Sequence, residues 1–416
     1  MRIAWMKMGG LWPLNTGGRQ RSFQILSALA RRHQLTLVTT HGRDEDPAGL
    51  VRALPHCEAV VSVPYQVPKH GEAAFLAALA GSWATRYPVD LWKWRVRRFR
   101  QEVTRILDAR AFDAVIVDFL FADANLSRRD VPVVFFAHNV EYLIWKRLAE
   151  IEKRSWRKAI LEIEWRKMRR AEARVVRRAQ ATVAVSDADR RLFLADAPDA
   201  TIDIIPTGVD TSYFAPAGAR EIPGRLVFSG SMDWYPNEDA IAYFANSILP
   251  ELRRQRPDIS LTVVGRNPGS ALKELGARAG IGMTGTVDDV RPFIDEAAVY
   301  IVPLRVGGGT RLKILEALAM AKPVVSTTVG AEGLTLMPGT HFVAADGEVD
   351  FASAVLSLLA DEHARRRLGR NGRQLVVDEH SWDRVAREFE RTLDAAMRNG
   401  YASGRFAEDR VAVSSR

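Results

Sequence analysis

One short run in the second half of the chain combines the residue types needed to hold a multiply charged anion. It reads Pro303-Leu304-Arg305-Val306-Gly307-Gly308-Gly309-Thr310-Arg311-Leu312-Lys313. An apolar strand leads into three glycines, and a helical pattern opens near Thr310. Glycines at such a turn let the backbone approach a ligand closely and adopt positive φ. The free N–H groups of a helix start then face the anion, and the helix dipole adds about 0.3 to 1 kcal/mol. Arg311 and Lys313 place cations in the first turn, where helices ordinarily prefer acids. A bound diphosphate is a physical reason for them; a tight turn carrying two surface cations is the plain alternative.

Two further places carry candidate chemistry. Gly17 and Gly18, followed by Arg19, precede the first long helical pattern. An acceptor or a phosphate could approach there, although any strand-to-helix turn also favours glycine. His138 follows the apolar stretch 131–137 and has Asn139 and Glu141 as neighbours. Its strand-end position favours a ligand contact over a purely structural role. Cys57 is the only cysteine, which rules out an intrachain disulfide and any cysteine-rich zinc site.

These residues need elements to position them. Short apolar runs alternate with amphipathic helical patterns, as in parallel α/β sheets. In the first half, 3–6, 35–39, 60–63, 114–117, 133–136, 182–185 and 203–206 read as strands, and 19–32 as a helix. A Pro-, Gly- and Ala-rich stretch at 216–224 lacks periodicity and reads as a linker. Strands then resume at 226–229, 260–264, 299–303 and 323–326. The expected organisation is a Rossmann-like domain over 1–215 and a second over 225–378. A C-terminal helix over 379–398, returning to the first domain, and a tail over 399–416 complete it. Such folds bind ligands in the crevice at the carboxyl ends of their strands.

The 416 residues are 47% apolar and 26% charged, a globular balance. No apolar run reaches the length of a membrane span. The N-terminus lacks signal-peptide features, so the expected location is cytoplasmic. The net charge of +9 is unevenly spread. Residues 92–100 form one basic, Trp-containing segment. The helical pattern from 142 to 178 forms a second, with 13 Lys or Arg against 5 Glu. Both fit a peripheral place on an anionic membrane surface. They also fit solvated helix faces whose aromatics turn into the core. No nucleic-acid motif accompanies the charge, so no nucleic-acid partner is expected.

The run ending Leu315-Glu316-Ala317-Leu318-Ala319-Met320-Ala321-Lys322-Pro323-Val324-Val325 resembles the donor-site signature of the retaining glycosyltransferases of family four, which have the GT-B fold. The resemblance extends through Gly17-Gly18-Arg19, His138-Asn139-Val140-Glu141 and Pro206-Thr207-Gly208-Val209-Asp210. It continues through Ser229-Gly230-Ser231-Met232-Asp233 and Val264-Gly265-Arg266. It implies two Rossmann-like domains facing a central cleft, and transfer of a sugar from a nucleotide diphosphate sugar to a glycan or lipid-linked acceptor. No metal or other cofactor is implied. Glu316 would hydrogen-bond the donor ribose, because a carboxylate accepts from two adjacent hydroxyls. Gly230, Arg266, Gly307, Gly308, Gly309 and Thr310 would complete the donor site, and His138 would contact the transferred sugar.

Two departures stand out. A second glutamate, common in the family eight residues before Glu316, is Gly308 here. The Arg and Lys that many relatives place after the first strand of the second domain are also missing, which assigns neutralisation of the diphosphate to Arg311 and Lys313. Asp187-Ala188-Asp189 matches the metal-binding spacing of other sugar transferases, but Ser186 reads as a helix N-cap and acids in the first turn complement its dipole. A nucleotide-sugar epimerase or phosphorylase on the same plan, or a non-catalytic basic membrane-binding protein, are the alternatives.

Overall fold

In the computed structural model the described residues are 1–402 apart from 15, 69–71, 128–129, 153 and 307–310. They form two compact α/β units. Unit 1 comprises Met1–Pro206 with the chain from Val385 onward, and unit 2 comprises Thr207–Arg384.

Unit 1 is built on seven parallel strands: β1 (Arg2–Lys7), β2 (Gln34–His41), β3 (Ala59–Pro64), β4 (Ala114–Asp118), β5 (Val133–Phe136), β6 (Ala181–Ala184) and β7 (Ile202–Ile204). Their order is β3-β2-β1-β4-β5-β6-β7. Strands covered on both faces read as continuous apolar runs, and Ile3, Trp5, Ile116, Val134 and Phe136 are fully buried. The order reverses between β1 and β4, the point at which such sheets bind ligands. Register sets Lys7 directly opposite Asp118 there.

Unit 2 repeats the plan with six parallel strands: β8 (Arg225–Ser229), β9 (Ser260–Val264), β10 (Gly282–Met283), β11 (Val299–Val302), β12 (Val324–Ser326) and β13 (Val343–Ala344). Their order is β10-β9-β8-β11-β12-β13, so the switch point lies between β8 and β11. The two-residue strands β10 and β13 escape a reading of periodicity because two residues have none.

Two elements differ from the sequence reading. The pattern at 142–178 is two helices, Glu141–Ile151 and Ser155–Arg178, packed on each other. The break falls at Glu152, which is extended and accepts from the Arg154 N–H (2.9 Å); this polar stretch has no apolar side chain to bury. The last helix also runs further, over Trp382–Ala402.

The unit boundary lies at Pro206–Thr207, ahead of the 216–224 stretch. Asp295 accepts from the N–H groups of Ala217 and Ala219 (3.1 and 2.9 Å), so part of that stretch is anchored to unit 2. Val209 donates to the His380 carbonyl (2.7 Å) within the same unit.

The helix Leu312–Ala319, which carries candidate donor residues, is seated by the helix Glu362–Glu379. A Cβ on Gly369 would lie 2.0 Å from the Ala321 carbonyl oxygen, and one on Gly372 would lie 2.5 Å from Leu318 Cδ2. Overpacking of this kind costs about 1 to 3 kcal/mol. Gly369→Ala is therefore expected to lower the unfolding free energy by that amount, read as a lower urea midpoint at unchanged m, with the far-UV spectrum unchanged; an unchanged midpoint would mean that the helices separate freely.

Candidate active site

In unit 2 the carboxyl ends of β8, β9 and β11 converge with the start of the helix Leu312–Ala319. At the end of β8, the Ser229 N–H donates to the Tyr300 hydroxyl (3.2 Å), and the two hydroxyls lie 2.6 Å apart. Burial pushes the Tyr300 phenol above its usual range. The chain then turns at Gly230, whose φ of 155° suits glycine. Its carbonyl oxygen presses on Gly265, where a Cβ would lie only 1.7 Å away. A Cβ on Gly230 itself would meet Asn237 Nδ2 and Lys313 Nζ, each at 2.8 Å. The glycines thus keep a shallow floor beside the lysine ammonium.

Lys313 Nζ donates to Asn237 Oδ1 (2.6 Å) and lies 4.0 Å from the Phe228 ring centre. Asn237 Nδ2 donates in turn to the Ser231 carbonyl (2.8 Å), which fixes the amide's orientation. Burial lowers the Lys313 pKa to about 7, repulsion from Arg311 adds to the fall, and Glu316 opposes it. Burial raises Glu316 to about 7, against the pull of Lys313. The pair sits one turn apart on one helix and faces the switch point without a full counter-charge. An arriving dianion would let Lys313 keep its proton.

Arg311 is separated from Lys313. It occupies the N-cap in a left-handed conformation (φ 47°), so it lies outside the helix rather than in its first turn. Its Nη2 donates to the Val329 carbonyl (2.8 Å) and approaches Glu332 (3.7 Å). Arg266, after β9, donates through Nε to Ser231 Oγ (2.8 Å) and lies 3.8 Å from Asp233. It therefore sets a guanidinium beside the segment that follows β8. Gly307, Gly308, Gly309 and Thr310 lie outside the described residues.

Unit 1 has its own cluster at the β1/β4 switch. Asp118 Oδ2 accepts from Trp5 Nε1 (2.9 Å), and Oδ1 lies 3.3 Å from Lys7 Nζ and 2.8 Å from His138 Nε2. Lys7 also donates to Ser22 Oγ (3.0 Å). Burial alone would raise the Asp118 pKa, but the Lys7 charge and the His138 hydrogen bond bring it to about 2. Burial lowers His138 to about 3 despite Asp118, so its imidazole is neutral. A carboxylate only accepts, which puts the His138 proton on Nε2. The buried Nδ1 then carries a bare lone pair, and it has no hydrogen-bond partner. Phe119 stacks on the imidazole at 3.9 Å, holding a positive φ of 67° that costs about 1 to 3 kcal/mol.

The structure brings Gly18 and His138 together. A Cβ on Gly18 would lie 3.0 Å from Phe119 and 4.0 Å from His138 Nδ1. Gly17, Gly18 and Arg19 form the first turn of the helix Gly17–Ala30, whose N-cap Thr16 accepts from the Arg19 N–H (3.3 Å). Arg19 points away, pairing with Glu45 and donating to the carbonyls of Pro13 and Gly9. It lines a pocket of about 450 Å³ with Glu45, Tyr65 and Trp94. Elsewhere, Ser186 caps its helix by accepting from the Asp189 N–H (3.2 Å), and Asp187 pairs with Arg191 (3.0 Å).

Both switch points of a doubly wound plan thus carry ionisable groups. Two family models match the chain: Glycosyltransferase Family 4 over residues 16–213, and Glycosyl transferases group 1 over residues 223–361. The chain belongs to the family 4 glycosyltransferases.

Its relatives agree. The MMP α-(1→4)-mannosyltransferase of Mycolicibacterium hassiacum is 26% identical over 354 residues, spanning 80% of this chain and 82% of that protein. A GDP-mannose-dependent α-(1-6)-phosphatidylinositol monomannoside mannosyltransferase of Mycolicibacterium smegmatis is 30% identical over 217 residues, covering 46% of this chain and 56% of that one. Among solved structures, sucrose-phosphate synthase of Thermosynechococcus elongatus superposes with a TM-score of 0.68 at 16% identity, covering 97% and 99% of the two chains. Anabaena HepE in complex with UDP and glucose gives 0.66 at 14% identity, covering 95% and 99%. At such identities the structures speak for the GT-B fold alone.

Sequence reading of this glycosyltransferase missed Lys7, Asp118 and the amide lock of Asn237. The first two had a signal: each is a charge placed directly at the end of an apolar strand.

The paired titrations fix a pH dependence. The folded protein releases the Lys313 proton near pH 7, whereas an ordinary lysine holds it to 10.5. That contribution to stability is present above 10.5 and is lost as pH falls through about 7. Glu316 runs oppositely, its contribution being present below 4.5 and lost as pH rises through about 7. The empty site is therefore least favourable near neutrality. Lys313→Met is expected to gain more in melting temperature over wild type at pH 7 than at about pH 9.5; equal differences at the two pH values would refute the buried-cation account.

Proposed function

We propose that this glycosyltransferase binds a nucleotide diphosphate sugar at the β8/β11 switch point and passes the sugar to a glycan or lipid-linked acceptor. Retention of anomeric configuration and independence from metal belong to the same reading, by family resemblance. The observation that carries it is the Gly230–Asn237–Lys313 arrangement. A backbone floor that tolerates no side chain lies beside an ammonium whose proton is held only loosely without an anion.

The residues divide the work as follows. As the bond from the anomeric carbon to the diphosphate lengthens, positive charge grows on the sugar ring and negative charge on the leaving phosphate. Preorganised cations aimed at that charge are a main source of rate enhancement. Lys313 serves in this way, with Arg311 and Arg266 as flanking cations, so charge compensation comes from side chains. Glu316 accepts from the ribose hydroxyls. By family resemblance His138, neutral and held on Asp118, is the candidate for contact with the transferred sugar. The pocket beside Arg19, walled by Tyr65 and Trp94, is read as acceptor space.

A place at an anionic membrane surface is supported by exposed apolar side chains among basic ones. Leu76, Trp83, Ile144, Leu148, Trp156 and Ile163 are all exposed, on the helices Ala73–Trp83, Glu141–Ile151 and Ser155–Arg178. Trp92 and Trp94 are half-buried, with Trp94 packed on Tyr65 and Phe121, so segment 92–100 turns its aromatics inward.

Thermal shift with UDP, GDP, ADP and dTDP is expected to show stabilisation by one nucleotide. Glu316→Ala should weaken it roughly ten- to a hundredfold, the worth of a hydrogen bond to a charged group. No shift with any of the four would overturn the donor assignment. Vesicles supply a second check. The protein should co-sediment with phosphatidylglycerol vesicles at low salt and release at high salt, and Trp156→Ser with Ile163→Ser should weaken that binding. Unchanged binding of the double variant would clear the helix Ser155–Arg178 of any membrane role.

A further inference from the structure

The two basic segments, far apart in sequence, line one pocket of unit 1. Its volume is about 240 Å³. Arg86, Arg95 and Arg100 line it from one part of the chain, and Arg174 and Arg178 from the last turns of the helix Ser155–Arg178. Asp123 is the single carboxylate among the described residues of the lining.

The arginines of this pocket are treated differently from others on the same helix. Arg166 pairs with Glu162 (2.6 Å) and Arg169 with Asp196 (2.7 Å). Among the described residues, no carboxylate lies within ion-pair distance of Arg86, Arg95, Arg174 or Arg178. Arg100 donates to the Ala124 carbonyl (3.3 Å), and Arg86 and Arg95 lie over the Tyr87 ring at 5.9 and 5.0 Å. Burial lowers the Arg174 pKa, and repulsion from Arg86, Arg178 and Arg177 lowers it further.

Five guanidinium groups around one small cavity repel each other until an anion enters. Guanidinium matches the oxygen geometry of phosphate through paired N–H donors. The cavity is smaller than the roughly 300 to 1,000 Å³ of sites that bury a whole drug-sized ligand. It suits a phosphoryl head rather than a complete nucleotide sugar.

We propose that this arginine pocket is a second ligand site, separate from Lys313 and its neighbours, that takes the phosphate group of a phosphomonoester or phosphodiester. The phosphate belongs either to a free solute or to a lipid headgroup, which share this chemistry. The site does not depend on the donor assignment.

The test is thermal melting with inorganic phosphate against chloride of equal ionic strength, for wild type, Arg174→Gln and Lys313→Met. Wild type and Lys313→Met should gain stability from phosphate. Arg174→Gln should melt above wild type without phosphate, because it relieves repulsion, and should need at least tenfold more phosphate for the same gain. Arg86→Gln repeats the test from another segment should Arg174→Gln not fold. Vesicles distinguish the sources. Loss of phosphatidylglycerol binding in Arg174→Gln, with phosphatidylcholine as control, assigns the phosphate to a lipid headgroup. Unchanged vesicle binding with a lost phosphate gain assigns it to a free solute. Equal phosphate gains in wild type and both arginine variants, or no specific gain together with arginine-independent vesicle binding, would overturn the proposal. Failure of the donor reading looks different: the nucleotide panel would be silent while the arginine-dependent phosphate effect remained.

Discussion

The carboxylate of Asp118 imposes the strictest demand in unit 1. A charge with no exposure to water is tolerated only when hydrogen bonds and an opposite charge surround it. Trp5, Lys7 and His138 meet that need, and they come from β1 and the segment after β5. A slip of β1 against β4 by one residue would turn Lys7 to the other face of the sheet. Satisfying one buried anion therefore sets a strand register, the tautomer of a histidine and the site of a strained phenylalanine. The geometry of this candidate site and the stability of the sheet rest on the same atoms.

Unit 2 meets a similar problem with a different solution. Lys313 and Glu316 are left with their charges incompletely compensated, while Gly230 and Gly265 supply space rather than partners. The first site is a closed network; the second is open and electrostatically unfinished. Groups left under-satisfied in this way cost stability, and that cost is tolerated by the packing beneath them. Gly369 and Gly372 let the supporting helix approach the Ala321 carbonyl and Leu318 closely, which makes the platform firm.

The architecture was legible in the sequence because both sheets are parallel and buried, so most strands announce themselves as apolar runs. Strands of two residues carry no pattern, and the break near Glu152 is made by a local turn of polar residues that helical spacing does not register. Glu316, Lys313 and His138 could be named as candidates from the sequence, the first two from a helix start and a family signature and the last from its place after a strand. Their environment was not. That Asn237 orients Lys313, that Arg311 turns to Val329, and that Arg86 and Arg174 line one pocket are relations across sequence separations that only the folded chain defines.

The last helix has an implication for synthesis. Phe389 is fully buried, stacked on Trp5 at 5.9 Å and set edge-on to Phe136 at 5.0 Å, although those residues lie in the first third of the chain. The first unit is thus a vessel whose lid is made after the whole of the second unit. While the ribosome is still extending the second unit, an apolar surface around Trp5 stands uncovered, and it can be sealed only after Phe389 has emerged.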